Sequence, residues 1–237
     1  MHPKISIIIP VLNQKQLLEK AIESILQQDF LDYELILIDG KSEDGTLDVI
    51  QKYEQHISYY ESTKDKNVYE AMNKAIDKSN ADWLYFMGAD DCLSKNIFSN
   101  IFSNNLVGFE IVFGNIRYND NTIFNSHFSN KLLMKNSLHH QGTLYHKRCF
   151  YGRCFNTNYS ILADYDFNLQ LFLDQKKALY INADFAICGK EGISKQKGWK
   201  HYKEEFLIKK EHLNAVQFVA YSSVTLIKFL LNRIGLL

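Results

Sequence analysis

The sequence carries no surplus of charge of either sign, because 27 lysines and arginines balance 27 aspartates and glutamates. A chain without net charge has no global field that attracts nucleic acid or acidic partners, so we expect no nucleic-acid binding. Cysteine is scarce as well, and its four copies show neither CxxC pairs nor a regular framework (Cys92, Cys149, Cys154 and Cys188). This usage favours a reduced chain in the cytoplasm over a disulfide scaffold.

Long apolar runs are also missing. No uninterrupted apolar stretch reaches the roughly 18 residues typical of a membrane-spanning helix. The N-terminus enters a strand-like segment almost at once, without the basic region, apolar region and cleavage site of a signal peptide. We therefore expect neither a spanning helix nor a secretion signal, and a cytoplasmic location.

What the chain does contain is an alternation of strand and helix patterns over its first hundred residues. At 237 residues and 46% hydrophobic content it can build one sizeable domain. Continuous β-branched or aromatic runs predict buried strands at 5–9, 34–38, 57–61 and 83–87, and apolar residues at helical spacing predict helices at 14–28, 46–54 and 68–79. Strands separated by helices of this length predict right-handed crossovers and a mostly parallel sheet with helices on both faces.

Polar residues follow the predicted strands at their carboxyl ends, where open sheets of this type bind ligands. They are Asn13, Asp39, Asp65, Asp90 and Asp91. A helix cap or a turn is the alternative explanation for each of them, since Asp and Asn favour both.

The turn explanation is preferred for Asp44, within SEDGT. It explains the adjacent carboxylates Asp90 and Asp91 less well, because a single cap needs only one of them. The second carboxylate adds repulsion unless a cation binds.

The ordered segments IPVLNQ, AIESILQQ, YELILIDGKSEDGT, KNVYEAMNKAI and FMGADD resemble the family 2 glycosyltransferases of the GT-A fold. The resemblance is strong over residues 4–115. The pieces HHQGTLYHK and ILADYDFNLQL resemble the acceptor side of bacterial members that build surface polysaccharides. The implied fold is a Rossmann-like, mostly parallel α/β sheet with an acceptor-side extension and C-terminal helices.

The resemblance implies roles for the residues at the strand ends. Asp91 resembles the ligand of a divalent cation, Mn²⁺ or Mg²⁺, and Asp90 the residue near the ribose of a nucleotide-sugar. Such hard cations use one or two carboxylates together with substrate phosphates. The remaining implied donor contacts are Asp39 and Asp65 for uracil and ribose, and Pro10 and Leu12 for the wall beside the base.

The segment YEAMNKA resembles a helix that approaches the nucleotide in the same subgroup, through Tyr69 and Asn73. Packing in the protein interior is the alternative for Tyr69. Relatives commonly have glycine where this chain has Asn67, and asparagine tolerates a positive φ better than most residues.

For the acceptor half, the resemblance implies that Asp164 is the general base of an inverting displacement, and that His140 and Gln141 line the sugar or acceptor cleft. A helix N-cap is the alternative for Asp164. Adjacent residues of a strand point to opposite faces, so His139 and His140 do not suggest a metal site, and His139 is equally well a structural histidine. Ser194 and Lys195, in GKEGISKQ, are possible phosphate donors or part of a solvated loop.

These expectations divide the chain into a nucleotide-sugar half (1–115), an acceptor half (116–200) and a helical tail (201–237). The implied function is metal-dependent transfer of a hexosyl-type sugar from a nucleotide-sugar, a UDP-sugar by this resemblance, to a glycan or lipid-linked acceptor. The alternatives are an inert nucleotide-sugar-binding protein and a nucleotidylyltransferase, although IPVLNQ lacks the glycine-rich basic loop of the latter.

The tail has a pattern of its own that the family resemblance does not cover. Polar residues recur at helical spacing on an otherwise apolar helix, as a narrow seam of Asn214, Gln217, Thr225, Lys228 and Asn232. From Lys195 onward, eight lysines and arginines face three glutamates. The apolar surface of such a helix must be buried against the rest of the domain, a second protomer or an anionic membrane surface. We therefore expect either peripheral membrane contact through 212–237 or an oligomer.

Overall fold

The strand Ile5–Val11 (β1) is buried along its whole length and lies inside a continuous sheet. The protein is described by a computed structural model that covers residues 2–189 and 198–233. After β1 the first half continues with α1 (Lys15–Leu26), β2 (Tyr33–Asp39), α2 (Thr46–Lys52), β3 (Tyr59–Ser62), α3 (Val68–Lys78) and β4 (Trp83–Phe86). The predicted alternation of strands and helices is confirmed.

The second half adds short strands and the tail. Its elements are β5 (Cys92–Leu93), α4 (Ile97–Phe102), β6 (Ile111–Tyr118), β7 (Ile123–Phe124), β8 (Thr143–His146), α5 (Ala163–Leu173), β9 (Ala178–Cys188), α6 (Trp199–His212) and α7 (Ala215–Arg233). Short 3₁₀ turns lie at Glu54–His56, Asn130–Leu133, His140–Gly142 and Lys147–Phe150.

One sheet joins the two halves. Its order is β3-β2-β1-β4-β8-β6-β9-β5, with β7 beside β6. The strands β3, β2, β1 and β4 are parallel, as predicted. The strand β8 is antiparallel to both of its neighbours, β4 and β6. The pairing of β8 with β4 therefore places part of the second half of the chain directly beside β4.

Two apolar layers cover the faces of the sheet. Alternate residues of β1 supply both, since Ile8 packs in the layer that includes α3 and α5, whereas Ile7 and Ile9 pack with α1, α2 and α4. The apolar face of α1, which contains Ile22 and Ile25, is fully buried against the sheet. Burial of a side chain of this size stabilises the fold by about 1.5–3 kcal/mol, so these helices are held by packing.

The four cysteines are all free thiols. Among the described residues, no helix has the length and apolar character needed to cross a membrane. The tail consists of α6 and α7 packed against each other, with ring contacts between Trp199 and Phe229 at 5.1 Å and between Phe206 and Phe218 at 4.9 Å.

Candidate active site

A cleft of about 570 Å³ opens beyond the carboxyl ends of β1 and β4. Both halves of the chain line it, the first through 10–12, 65–72 and 88–91 and the second through 139–141 and 160–161. Of the polar residues predicted at the strand ends, Asp65, Asp90 and Asp91 line this cleft, whereas Asn13 and Asp39 do not. A volume of this size suits a small-molecule ligand.

The paired carboxylates lie in the turn after β4. Asp91 is 2% exposed, and its Oδ2 accepts hydrogen bonds from the main-chain N–H of Gly88, at 3.0 Å, and from the side chain of Gln141. Burial raises the pKa of Asp91 to about 6, and the charge of Asp90 adds to the effect. A buried carboxyl group beside a second negative charge is a natural position for a cation.

The turn after β4 also has a geometry that suits a bound cation. A Cβ atom on Gly88 would lie 2.5 Å from Oδ2 of Asp91 and 2.8 Å from Oδ1 of Asp90, so both carboxylates face the bare glycine. Their oxygen atoms are the ligand type that Mg²⁺ and Mn²⁺ prefer. These residues fit a divalent ion whose remaining ligands come from substrate or water.

Only some of the predicted nucleotide contacts line the cleft. Pro10 and Leu12 do, and the Leu12 side chain is 55% exposed. Asp39 is fully buried and accepts hydrogen bonds from the hydroxyl groups of Ser42 and Ser62. Asp39 thus joins the loop after β2 to the last residue of β3. Neither serine was identified from the sequence, because no motif marks them.

Asp65 lines the cleft and forms an ion pair with Lys74 at 2.8 Å. The hydrogen bond to Asp65 is the largest cause of the raised pKa of Lys74. Asp44 is the turn residue that the sequence indicated, since its carboxylate accepts from the main-chain N–H of Thr46.

The helix α3 corrects one prediction about this segment. Asn67 has φ −164°, an extended backbone, and caps α3 by accepting hydrogen bonds from the N–H groups of Tyr69 and Glu70. A tolerance of positive φ is therefore not what makes asparagine suitable here. Asn73 lies outside the cleft lining, where its side chain both donates to and accepts from the main chain of Phe155.

The two histidines correct a second prediction. His139 and His140 lie at a 3₁₀ turn instead of on a strand, and their rings stack with centroids 5.5 Å apart. Both therefore line the cleft, together with Gln141. The argument from opposite strand faces fails because the turn rotates successive side chains by less than a strand does.

Asp164 lies in the first turn of α5, whose N-cap position is Leu162. Its carboxylate accepts from the phenol of Tyr69 at 3.1 Å, the side-chain amide of Asn136 at 2.9 Å and Nδ1 of His140 at 3.2 Å. Burial works to raise the pKa of Asp164, but the hydrogen bond and charge of His140, together with smaller effects such as the charge of His139, hold the pKa below the usual value.

Asn136 is a member of this cluster that the sequence did not predict. It precedes the histidine pair by only a few residues, but no motif or periodicity distinguishes it from the other asparagines of the chain. The predicted phosphate donors Ser194 and Lys195 lie outside the described residues.

Known glycosyltransferases are similar to this chain in sequence. The family described as "Glycosyl transferase family 2" matches residues 6–166. A glycosyltransferase of PGL/p-HBAD biosynthesis from Mycobacterium bovis is 34% identical over 180 residues, which cover 72% of this chain and 70% of the relative. A GalNAc(5)-diNAcBac-PP-undecaprenol beta-1,3-glucosyltransferase from Campylobacter jejuni is 34% identical over 139 residues, covering 57% of this chain and 45% of the relative.

Among solved structures, S. aureus TarS 1-349 in complex with UDP-GlcNAc superposes with a TM-score of 0.72 at 16% sequence identity. The match covers 96% of this chain and 71% of that one. At this level of identity the similarity establishes the fold, which is the GT-A fold that the sequence predicted.

Proposed function

Since this chain belongs to glycosyl transferase family 2, we propose that it is a metal-dependent inverting transferase that moves a sugar from a UDP-sugar to a hydroxyl group of a lipid-linked bacterial glycan. The observation that carries the proposal is the buried Asp91 beside Asp90, at the junction of two half-sites. One half-site provides contacts for a nucleotide and the other provides a carboxylate for acid–base chemistry.

The donor side is assigned to the first half of the chain. Asp91 would hold Mn²⁺ or Mg²⁺ and Asp90 would lie near the ribose, while Asp39, Asp65, Asn67, Tyr69 and Asn73 shape or support the nucleotide end. A bound divalent cation supplies neutralisation of the charge that develops on a departing diphosphate. The complex of TarS with UDP-GlcNAc supports a UDP-sugar as the donor class.

The acceptor side is assigned to the second half. His140 and Gln141 line the cleft, and Asp164 is hydrogen-bonded to His140 just outside that lining. Asp164 would take the proton of the acceptor hydroxyl group as the acceptor oxygen attacks the anomeric carbon. Such a direct displacement inverts the anomeric configuration.

A donor panel tests this function. The full chain is incubated with Mn²⁺, undecaprenyl diphosphate-linked N-acetylglucosamine and, in turn, UDP-glucose, UDP-galactose, UDP-GlcNAc and UDP-GalNAc. We expect UDP release with at least one donor, a product of inverted anomeric configuration by NMR, and no release from Asp91→Asn. Binding without UDP release from any donor would indicate an inert binding protein, and release of pyrophosphate from UTP and a sugar phosphate would indicate a nucleotidylyltransferase.

We propose further that the tail docks the enzyme on an anionic membrane surface, where a lipid-linked acceptor lies. In α7 the polar residues Ser222 and Thr225 are buried, whereas a row of apolar side chains lies exposed. Thr225 is 3% exposed, whereas Val216 is 80% exposed. The outward apolar side consists of Val216, Val219, Leu226, Ile227 and Leu230, which recur at helical spacing.

The distribution of charge favours a membrane over a second protomer as the partner of the apolar face of α7. Lys200, Lys203 and Lys210 are exposed on the adjoining helix α6. Across a two-fold interface these residues would be brought toward their own copies. An anionic leaflet instead attracts each of them by about 1 kcal/mol.

Flotation with vesicles tests the docking face. We expect the full chain to float with vesicles rich in phosphatidylglycerol, and the double variant Val219→Asp/Leu226→Asp to remain at the bottom. Val107→Asp is the matched control, since Val107 is a valine that is 85% exposed outside the tail. If the native chain also stays at the bottom while sedimenting as a dimer, the face belongs to a protein interface.

A further inference from the structure

Glu204 on α6 is a buried carboxylate that binds the segment just before Asp164. The residue is 5% exposed. Its Oε1 accepts from the main-chain N–H of Ser160 at 3.0 Å and from the hydroxyl group of the same serine at 3.2 Å. Its Oε2 accepts from the main-chain N–H groups of Ile161 at 2.9 Å and Leu162 at 3.0 Å. A carboxylate offers about four positions to hydrogen-bond donors, and these four bonds use them.

These bonds fix the main chain where α5 begins. Leu162 occupies the N-cap position of α5, and its side chain forms no capping hydrogen bond. The carboxylate of Glu204 instead accepts from the N–H of this residue and from the two N–H groups before it. Successive main-chain N–H groups that converge in this way form an anion-binding concavity. Hydrogen bonds to an ionised acceptor are roughly twice as strong as neutral ones, so the segment is held firmly.

Two further contacts tie α6 to the same stretch of chain. The phenol of Tyr159 lies 2.9 Å from Oε2 of Glu211. Nε2 of His212 lies 2.6 Å from Oδ1 of Asp166. Tyr159 and Asp166 lie on either side of Asp164 in the sequence, so α6 holds residues 159–166 at both ends.

The anchored segment is part of the candidate active site. Ser160 and Ile161 line the cleft. The main-chain oxygen of Ile161 lies 2.8 Å from the phenol of Tyr69, and the same phenol lies 3.1 Å from Oδ1 of Asp164. A displacement of this segment would therefore move the cleft wall, the phenol and the carboxylate of Asp164 together.

We propose that Glu204 is a positioning residue of the transfer reaction, which holds Asp164 where it can reach the hydroxyl group of an acceptor. Glu204 has this role only if the proposed function is right, and it refines the acceptor side of that function. Glu204 is not among the described residues that line the cleft, so it acts through the segment that it binds. The helix α6 then belongs to the catalytic unit, whatever surface α7 docks on.

Glu204→Gln tests this role with the UDP-sugar and the acceptor that give UDP release. The side chain keeps its size, but an amide group replaces one acceptor oxygen and faces N–H donors. We expect kcat to fall by roughly 10²-fold, the effect of a misplacement of about 1 Å. The KM for the UDP-sugar should be unchanged, because the donor contacts are assigned to the first half of the chain.

Glu211→Gln is the matched control. It changes an exposed glutamate of the same helix, and the amide oxygen can still accept from the phenol of Tyr159. Its kcat should equal that of the native chain. Glu204→Asp covers the case in which Glu204→Gln does not fold. It keeps a carboxylate on a shorter side chain, so it should lose less kcat, again with an unchanged KM for the UDP-sugar. Melting curves give the folded fraction by which each kcat is corrected.

Amide hydrogen exchange, followed by NMR, examines the contact without any activity. In the native chain the N–H groups of Ser160, Ile161 and Leu162 should exchange slowly, because a buried carboxylate accepts from all three. In Glu204→Gln their exchange should become fast, and in Glu211→Gln it should stay slow.

The proposal is overturned if folded Glu204→Gln retains the native kcat, or if these amide groups already exchange fast in the native chain. It is also overturned if the KM for the UDP-sugar rises as much as kcat falls, since Glu204 would then shape the donor site. If neither variant of Glu204 folds, the residue serves stability alone. A native chain that releases no UDP from any donor and acceptor pair refutes the proposed function. Slow exchange of the three amide groups in that chain would show that Glu204 ties α6 to α5 without a part in transfer.

Discussion

The phenol oxygen of Tyr69 lies 3.1 Å from Oδ1 of Asp164, and this contact joins the first half of the chain to the second across 95 positions of sequence. The same phenol lies 2.8 Å from the main-chain oxygen of Ile161. Burial, followed by the charge of Asp164, raises the pKa of Tyr69 well above its ordinary value, so the phenol remains a hydrogen-bond donor.

Tyr69→Phe should therefore weaken the contact between the two halves of the chain. The aromatic ring should continue to fill its place in the core. We expect a loss of about 1–3 kcal/mol in the free energy of unfolding, because two buried acceptors lose their shared donor. Turnover should decrease and the affinity for UDP should change little. Urea unfolding and titration calorimetry with UDP measure the two effects. An unchanged stability would show that the phenol is not a structural donor.

Asp91→Asn separates the binding of metal from stability. Because its pKa is raised only to about 6, Asp91 is still largely ionised at pH 7, but its charge costs more free energy in the folded chain than in the unfolded one. The neutral amide should therefore leave the melting temperature of the metal-free chain equal or higher. Calorimetry should show that binding of UDP no longer depends on Mn²⁺. Asp90→Asn, at the exposed neighbouring carboxylate, should retain part of that dependence. Full Mn²⁺ dependence in Asp91→Asn would contradict the assignment of this residue as a metal ligand.

His212 gives the stability of the chain a dependence on pH. Its Nε2 lies 2.6 Å from Oδ1 of Asp166, and this hydrogen bond is the largest cause of its raised pKa. A histidine whose pKa is raised by folding stabilises the fold fully below its unfolded value near 6.5, and this stabilisation is lost as pH rises through the folded pKa.

We therefore expect His212→Gln to destabilise the chain more at pH 6 than at pH 9, as measured by urea unfolding. His56→Gln replaces an exposed histidine on a 3₁₀ turn and serves as the control, with no such difference. An equal loss at both pH values would show that His212 contributes by packing alone.

The sequence predicted the four strands of the first half and the carboxylates at their ends because both depend on local pattern. A continuous apolar run such as residues 5–9 can be buried on both faces only as an inner strand, and the chain must turn where that run ends. Asp91 was found for this reason. Asn136 was not, because its partner Asp164 is brought to it by the packing of α5 instead of by any local pattern.

Local conformation explains the two corrected predictions. Asn67 was interpreted through backbone φ, whereas the hydrogen-bonding of its side chain at the start of α3 decides its role. The side chains of His139 and His140 were assigned to opposite faces on the assumption of a strand, and a 3₁₀ turn follows instead. Short turns of this kind leave no periodic signal in a single sequence.

The tail shows a further limit of sequence patterns. Spacing predicted the helix and its polar seam, but it did not indicate which side faces the protein. That choice depends on Lys209, which is fully buried on the neighbouring helix. Its ammonium group lies 2.6 Å from Glu205 and 2.6 Å from the hydroxyl group of Thr225, so this side of α7 faces α6.

Lys209→Met should consequently release α7 from α6. Removing one partner of a buried ion pair costs about 3–5 kcal/mol, because Glu205 would keep an uncompensated buried charge. We expect a loss of this size in the free energy of unfolding, together with faster amide hydrogen exchange in α7. Lys210→Met changes the exposed neighbouring lysine and should leave both quantities unchanged.

The double variant Lys209→Met/Glu205→Leu should recover most of the stability, since it removes both charges. If the double variant is as unstable as Lys209→Met alone, the ammonium group stabilises the tail through its bonds to Thr225 and to the main-chain oxygen of Met134, and its pairing with Glu205 is secondary.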